Sequence, residues 1–202
     1  LSKSHHADRF ILKGALMLTV WGGARSRPTR DIDLLGRLDN DLERVTQVIR
    51  DVCAARVRED GMVFDADSAT AARITGEAEY QGVRVRFSAA LGNARVSMQV
   101  DIGIGDVLFP QAQDVEYPTL LDFPQPRLKG YAMESSIAEK FQAMIVLGIL
   151  NSRMKDFYDI WMLSRTFDFA GEALAEAIEN TFEARHTELT AEATVFWPSF
   201  AS

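Results

Sequence analysis

Two aspartates, Asp31 and Asp33, stand one residue apart in the stretch Thr29-Arg30-Asp31-Ile32-Asp33-Leu34-Leu35. In an extended strand side chains alternate faces, so both carboxylates project to one side and Ile32 and Leu34 to the other. Like charges that close repel unless a cation lies between them, and an oxygen-only donor pair suits Mg²⁺ or Mn²⁺. A third carboxylate, Asp101 in Val100-Asp101-Ile102, also ends a strand-like run. Three carboxylates converging from adjacent strands can hold one or two divalent cations. Phosphoryl transfer uses that arrangement to bridge a triphosphate and activate an attacking hydroxyl. The alternative is a strand end with solvated carboxylates.

Lys13-Gly14-Ala15 lies between a short apolar run and a helix-forming segment. The amides of Gly14 and Ala15 at a helix start can point at a phosphate with Lys13 nearby, or the glycine can simply make a turn. The spacing of a P-loop is absent, which disfavours a Walker-type NTPase. Arg25, Arg27 and Arg30 form either a solvated turn or a phosphate contact beside the Asp pair, with Arg27 and Thr29 as its nucleotide-binding candidates. Further on, Glu139-Lys140 is followed by Lys155-Asp156-Phe157-Tyr158-Asp159. On a helix Asp156 and Asp159 share a face, and Lys155 with Asp159 is a potential i,i+4 pair. Large apolar neighbours (Phe157, Tyr158, Ile160, Trp161, Leu163) require some of these charges to be paired at a buried or cleft edge, where a lysine could neutralise triphosphate. Cys53, Trp21 and Trp161 read as core or cleft wall, and His5-His6 as a tag remnant or ordinary polar residues.

The elements that must position these groups follow from pattern. Residues 9–13 read as a buried strand, 15–21 as a short helix closed by Gly22-Gly23, and 31–35 as a second strand. Residues 39–55 have helical period, with Asp39 or Asn40 as cap. Short β segments are expected at 72–74, 83–89 and 96–104, with Leu91-Gly92-Asn93-Ala94 as a hairpin join. Residues 110–126 carry four of the six prolines and mark an irregular connection. Beyond it the β signal ends, and helices are expected at 133–150, 155–165 and 172–184. In the first of these, Ile137, Phe141, Met144, Ile145 and Gly148 make the packing face. The domains read from this are an α/β core over residues 1–126 and a helical part over 127–202.

A chain of 202 residues, 47% hydrophobic, can bury a real core. A net charge of -7 restricts nucleic-acid contact to a local patch. One cysteine permits no internal disulfide, and a cytoplasmic setting is expected. The longest apolar run, residues 144–150, falls far short of the roughly twenty residues needed to span a bilayer. The sequence starts at Leu1 with an element close behind, so further residues are expected upstream.

Taken in order, Leu12-Lys13-Gly14-Ala15-Leu16, Arg27-Pro28-Thr29-Arg30-Asp31-Ile32-Asp33, Val100-Asp101-Ile102, Ala138-Glu139-Lys140-Phe141-Gln142-Ala143 and Lys155-Asp156-Phe157-Tyr158-Asp159 resemble the motifs of the AbiEii/AbiGii toxin family. These are nucleotidyltransferase-like proteins of the DNA polymerase β superfamily, with MenT-type toxins as relatives. The resemblance implies an α+β fold, a mixed sheet with flanking helices followed by a helical C-terminal part. It also implies Mg²⁺-dependent transfer of a nucleotide from an NTP to an acceptor such as the tRNA 3′ end, in a type IV toxin–antitoxin or phage-defence pair with a cognate antitoxin. On that resemblance Asp31 and Asp33 are metal ligands, Lys140 binds triphosphate, and Asp156 or Asp159 is the fourth-motif carboxylate. Asp101 matches the third superfamily carboxylate by position. Gly14-Ala15 replaces the superfamily's Gly-Gly or Gly-Ser, losing a small polar donor while keeping the amides. A metal-dependent phosphoesterase or nuclease, and a non-catalytic nucleotide-binding module, remain as alternatives.

Overall fold

Leu12, Leu34, Ile102 and Val83 fall opposite one another on four adjacent strands and are all buried. Burying each such side chain contributes about 1.5–3 kcal/mol, enough to fix how the strands align. The structure, a computed structural model, describes residues 1–22, 29, 31–74, 82–190 and 192–197. It divides into two units: Leu1–Gly105 with Asp114–Gly130, and Asp106–Gln113 with Tyr131–Ser202.

The first unit is built on a seven-stranded mixed sheet in the order β3-β4-β5-β2-β1-β7-β6. Its strands are β1 (Phe10–Lys13), β2 (Ile32–Gly36), β3 (Met62–Arg73), β4 (Gly82–Leu91), β5 (Ala94–Ile104), β6 (Gln113–Glu116) and β7 (Arg127–Gly130). The pair β1/β2 is antiparallel, β2/β5 parallel, and β5/β4 and β4/β3 antiparallel. Helix α1 (Ala15–Gly22) buries Ala15, Met17 and Leu18. Helix α2 (Leu42–Cys53) buries Val45, Val48 and Ile49 and packs on β3 and β4. Its cap is Asp41 rather than Asp39 or Asn40: the carboxylate accepts a hydrogen bond from the Arg44 amide at 2.8 Å, a contact of the kind that contributes about 1 kcal/mol.

Three strands depart from the sequence expectation, β6 because it falls inside residues 110–126, expected to be an irregular connection. β3 starts ten residues ahead of the expected segment because Asp65, Asp67 and Ser68 break its alternation. There the ladder shifts register, and Ser68 bridges the irregularity by donating to the Asp65 carbonyl at 2.6 Å and accepting from the Ser88 amide at 2.8 Å. β7 lies where no strand was expected. Four residues, Arg-Leu-Lys-Gly, are too few to display a period, and the strand exists through its parallel pairing with β1 and through ion pairs Arg127–Glu116 and Lys129–Asp114 to the β6 segment.

The second unit contains α3 (Met133–Leu147), α4 (Met154–Thr166) and α5 (Gly171–Ala184), with α3 packed against both others. The buried residues of α3 are Ser135, Ser136, Ile137, Ala138 and Gln142, so the face is rotated from the expected Phe141, Met144 and Ile145. Hydrogen bonds account for this. Ser135 donates to the Phe109 carbonyl at 2.6 Å, while Gln142 donates to Thr187 at 2.7 Å and accepts from Arg185 at 3.1 Å. No helix among the described residues is long and apolar enough to cross a membrane.

Candidate active site

Beside the buried apolar row runs a charged one, one residue along each strand. Lys13 on β1 pairs in register with Asp33 on β2, Asp33 with Asp101 on β5, and Asp101 with Arg84 on β4. Residues directly opposite across neighbouring strands place their side chains on the same face. Four charges, plus, minus, minus, plus, therefore cross the sheet in one line. Lys13 is buried, Asp33 and Asp101 are half-buried, and neither Lys13 nor Asp33 lacks an interaction partner.

Asp31 stands immediately before β2, where its amide donates to the Thr29 hydroxyl at 3.2 Å. Thr29 thus shapes the approach to the carboxylate pair, as short hydroxyl side chains do in turns. Gly14 follows Lys13 with φ of +66° and leads into α1 at Ala15. A β-carbon at Gly14 would collide with the Asp33 carboxylate. The turn therefore needs glycine twice, for its left-handed backbone and for the room it leaves Asp33. Arg25, Arg27 and Arg30 lie outside the described residues.

At the far end of the row, Arg84 grips Asp101 with two parallel bonds, Nε to Oδ1 at 2.8 Å and Nη2 to Oδ2 at 2.6 Å. These bonds, with the negative charges of Asp101, Asp31 and Asp33 behind them, hold the guanidinium pKa above its ordinary value. The sequence reading took the run Val83-Arg84-Val85-Arg86 only as a strand and missed this pair. The signal was present: a two-residue join at Gly92-Asn93 puts residue 84 opposite residue 101. The donor chemistry of Asp31 and Asp33 fits a hard divalent cation, and the β-carbon-free space at Gly14 is what accommodates the second carboxylate. Among the described residues, the one group of possible ligands with atoms all within 4.8 Å of one another is His5, His6 and Asp51. There the buried His6 bonds Asp51 through Nε2 at 2.9 Å, tying the segment before β1 to α2.

The second unit gathers the other predicted residues. Lys140 Nζ lies 2.9 Å from Asp156 Oδ1 and 2.8 Å from Asp159 Oδ2. Both aspartates are fully buried. Arg153 Nε is 2.8 Å from Asp156 Oδ2, close enough for an ion pair although its angle is not that of a hydrogen bond. Asp156 and Asp159 do share a face of α4, but the cation that Asp159 meets is Lys140, not Lys155, which projects outward and is exposed. Trp161 is 59% exposed and stands beside the exposed Tyr158, so it is no core residue. A neighbouring network was not foreseen: Arg185 bonds Asp106 at 2.9 Å and lies 3.3 Å from Glu139, which accepts from the buried Tyr131 hydroxyl at 3.0 Å.

Residues 1–198 match the family described as the nucleotidyl transferase AbiEii toxin of type IV toxin–antitoxin systems. The chain belongs to the AbiEii family. Among solved structures it is similar to JHP933 from Helicobacter pylori, with a TM-score of 0.55 and 14% identity over 91% of this chain and 75% of that one. It is also similar to a second H. pylori protein, provisionally named a nucleotidyltransferase, with a TM-score of 0.53 and 13% identity over 99% of this chain and 84% of that one. At such identities the likeness carries the fold alone, and it agrees with the α+β architecture of this AbiEii member. No curated protein matches the chain.

Proposed function

We propose that this AbiEii protein transfers a nucleotide from an NTP to an RNA hydroxyl, such as the tRNA 3′ end, as the toxin of a type IV toxin–antitoxin pair in phage defence. The single observation that carries the reading is the line Lys13–Asp33–Asp101 running across three strands beside the side-chain-free turn at Gly14. Asp31 and Asp33 would hold Mg²⁺ or Mn²⁺, which when bound offsets triphosphate charge and lowers the pKa of a ligated hydroxyl. Lys13 and the amides of Gly14 and Ala15 face the phosphates, and Thr29 lies beside them; Arg27, outside the described residues, is a further candidate by the resemblance. Lys140 stays the resemblance's candidate for a triphosphate contact, its ammonium paired within the second unit with Asp156 and Asp159. In the reaction the acceptor oxygen bonds to the α-phosphorus, the bond from that phosphorus to the β-bridging oxygen breaks, pyrophosphate leaves, and the hydroxyl proton passes to a carboxylate of the row or to water.

The test is incubation with Mg²⁺, total RNA and NTP labelled at either the α- or the γ-phosphate. Label at α should appear in RNA, label at γ should leave as pyrophosphate, and Asp33→Asn should abolish both. Fragmentation of RNA without incorporation of label would instead indicate a nuclease, and the proposal would be abandoned.

A further inference from the structure

Ahead of β1, two imidazoles and a carboxylate converge from parts of the chain 45 residues apart. We propose that His5, His6 and Asp51 form a binding site for a late first-row transition ion, Zn²⁺ above all, which ties the segment before β1 to α2. The inference is independent of the nucleotidyl-transfer reading, because none of the three residues belongs to the charged row of Lys13, Asp33, Asp101 and Arg84.

His6 is 5% exposed and so belongs to the folded body. Its Nε2 lies 2.9 Å from Asp51 Oδ2. The His5 ring sits beside it, centroids 3.8 Å apart and planes at 43°, with its own Nε2 3.9 Å from the same oxygen. Each of the three residues offers one ligand atom within 4.8 Å of the other two. Ligands held tetrahedrally at about 2.0–2.2 Å from Zn²⁺ stand roughly 3.3–3.6 Å from one another. The separations of 2.9 and 3.9 Å lie on either side of that spacing, and shifts of about 0.5 Å close the difference. His5 has the freedom to make them, its side chain being 74% exposed. Its open side also leaves a fourth position for water. The carboxylate is already aimed, since its second oxygen, Oδ1, accepts from Gln47 Nε2 at 2.8 Å, as outer partners of metal ligands do. On His6 the other ring nitrogen, Nδ1, is buried with no hydrogen-bond partner among the described residues, so Nε2 is the atom through which the ring acts. Two imidazoles with one carboxylate suit Zn²⁺, Ni²⁺ or Cu²⁺, whereas Mg²⁺ prefers oxygen ligands. The donor set here therefore selects a different class of ion from the oxygen-only pair of Asp31 and Asp33.

The experiment titrates the whole protein with Zn²⁺ by calorimetry, in excess Mg²⁺ so that oxygen-only sites are occupied, and with Co²⁺ by visible absorption, which is far more intense for a four-coordinate ion than for a six-coordinate one. Wild type should bind one Zn²⁺ per chain, melt at a higher temperature when saturated, and give the intense Co²⁺ band. His5→Ala removes a ligand from an exposed position without disturbing the packing of His6; it should weaken Zn²⁺ binding by roughly 10–100-fold or more and take the band with it. Asp51→Asn should weaken binding to a similar extent, and neither variant requires the buried His6 to be replaced. His186→Gln alters the remaining histidine of the chain; it is the control and should match wild type. Zn²⁺ binding that survives both His5→Ala and Asp51→Asn unchanged overturns the proposal, as does binding lost in His186→Gln. A wild type that binds Zn²⁺ no more tightly than the double variant His5→Ala/Asp51→Asn overturns it as well.

Discussion

Replacing Lys140 by methionine isolates the energetics of the buried ion cluster. In the native protein one ammonium, its side chain 11% exposed, serves two aspartates that have no contact with water. Removing it leaves both carboxylates in place, with the half-exposed Arg153 still facing Asp156. Breaking a buried pair from one side costs about 3–5 kcal/mol, because the remaining charge can neither hydrate nor pair. The lower part of that range applies to Asp156, which Arg153 still faces. For a chain of this size each kcal/mol shifts Tm by about 2–4 °C, which sets the expected fall at roughly 6–20 °C. Circular dichroism during a thermal scan and during urea unfolding at pH 7 measures it. The double variant Lys140→Met/Asp159→Asn should recover a large part of the loss, since an amide can be left without a counter-charge at far lower cost. If Lys140→Met melts within about 2 °C of wild type, the cluster is not energetically coupled as its distances imply, and the assignment of α4's inner face to charge pairing is wrong.

Two further outcomes are expected. Gly14→Ala places a β-carbon against the Asp33 carboxylate at a φ of +66°; about 1–2 kcal/mol of backbone strain is expected, with Mn²⁺ affinity reduced alongside stability, and an unchanged affinity would show that Asp33 does not depend on that space. Asp51 is held below its ordinary pKa of 3.8 chiefly by the hydrogen bond from His6. Its contribution to stability is therefore present above 3.8 and is lost as pH falls through the lower folded value; Asp51→Asn should flatten the acid limb of a stability-against-pH curve below about pH 4, and an unaltered limb would refute the linkage.

Much of the first unit was legible because its strands alternate cleanly and its turns carry glycine. Residues 10–13 form a wholly buried apolar run stopped by Gly14, and 32–36 and 94–104 are bounded by Gly36 and Gly92, so run and pattern located them to within a residue or two. The spacing Asp31-x-Asp33 and the i,i+3 spacing of Asp156 and Asp159 were readable for the same reason. What failed to show was pairing at a distance. Lys155 looked like the partner of Asp159 because it is near in sequence, whereas Lys140 on another helix supplies the charge. The expected packing face of α3 did not include Ser135 or Gln142, because burial of a polar group depends on partners such as the Phe109 carbonyl and Arg185, which no local pattern reveals. β7 owes its existence to the edge of β1, not to its own four residues.

The alternation of an apolar and a charged row along the same four strands has a consequence for how this protein can change over evolutionary time. Leu34 and Asp33 are adjacent in β2, and their faces are opposite. A substitution alters one position, but the gain or loss of a single residue inside β2 would exchange the two faces, sending a carboxylate into the oil and a leucine into the charged row. A change of length in a connection outside the strands leaves both rows in register, whereas one within Ile32–Gly36 breaks both at once.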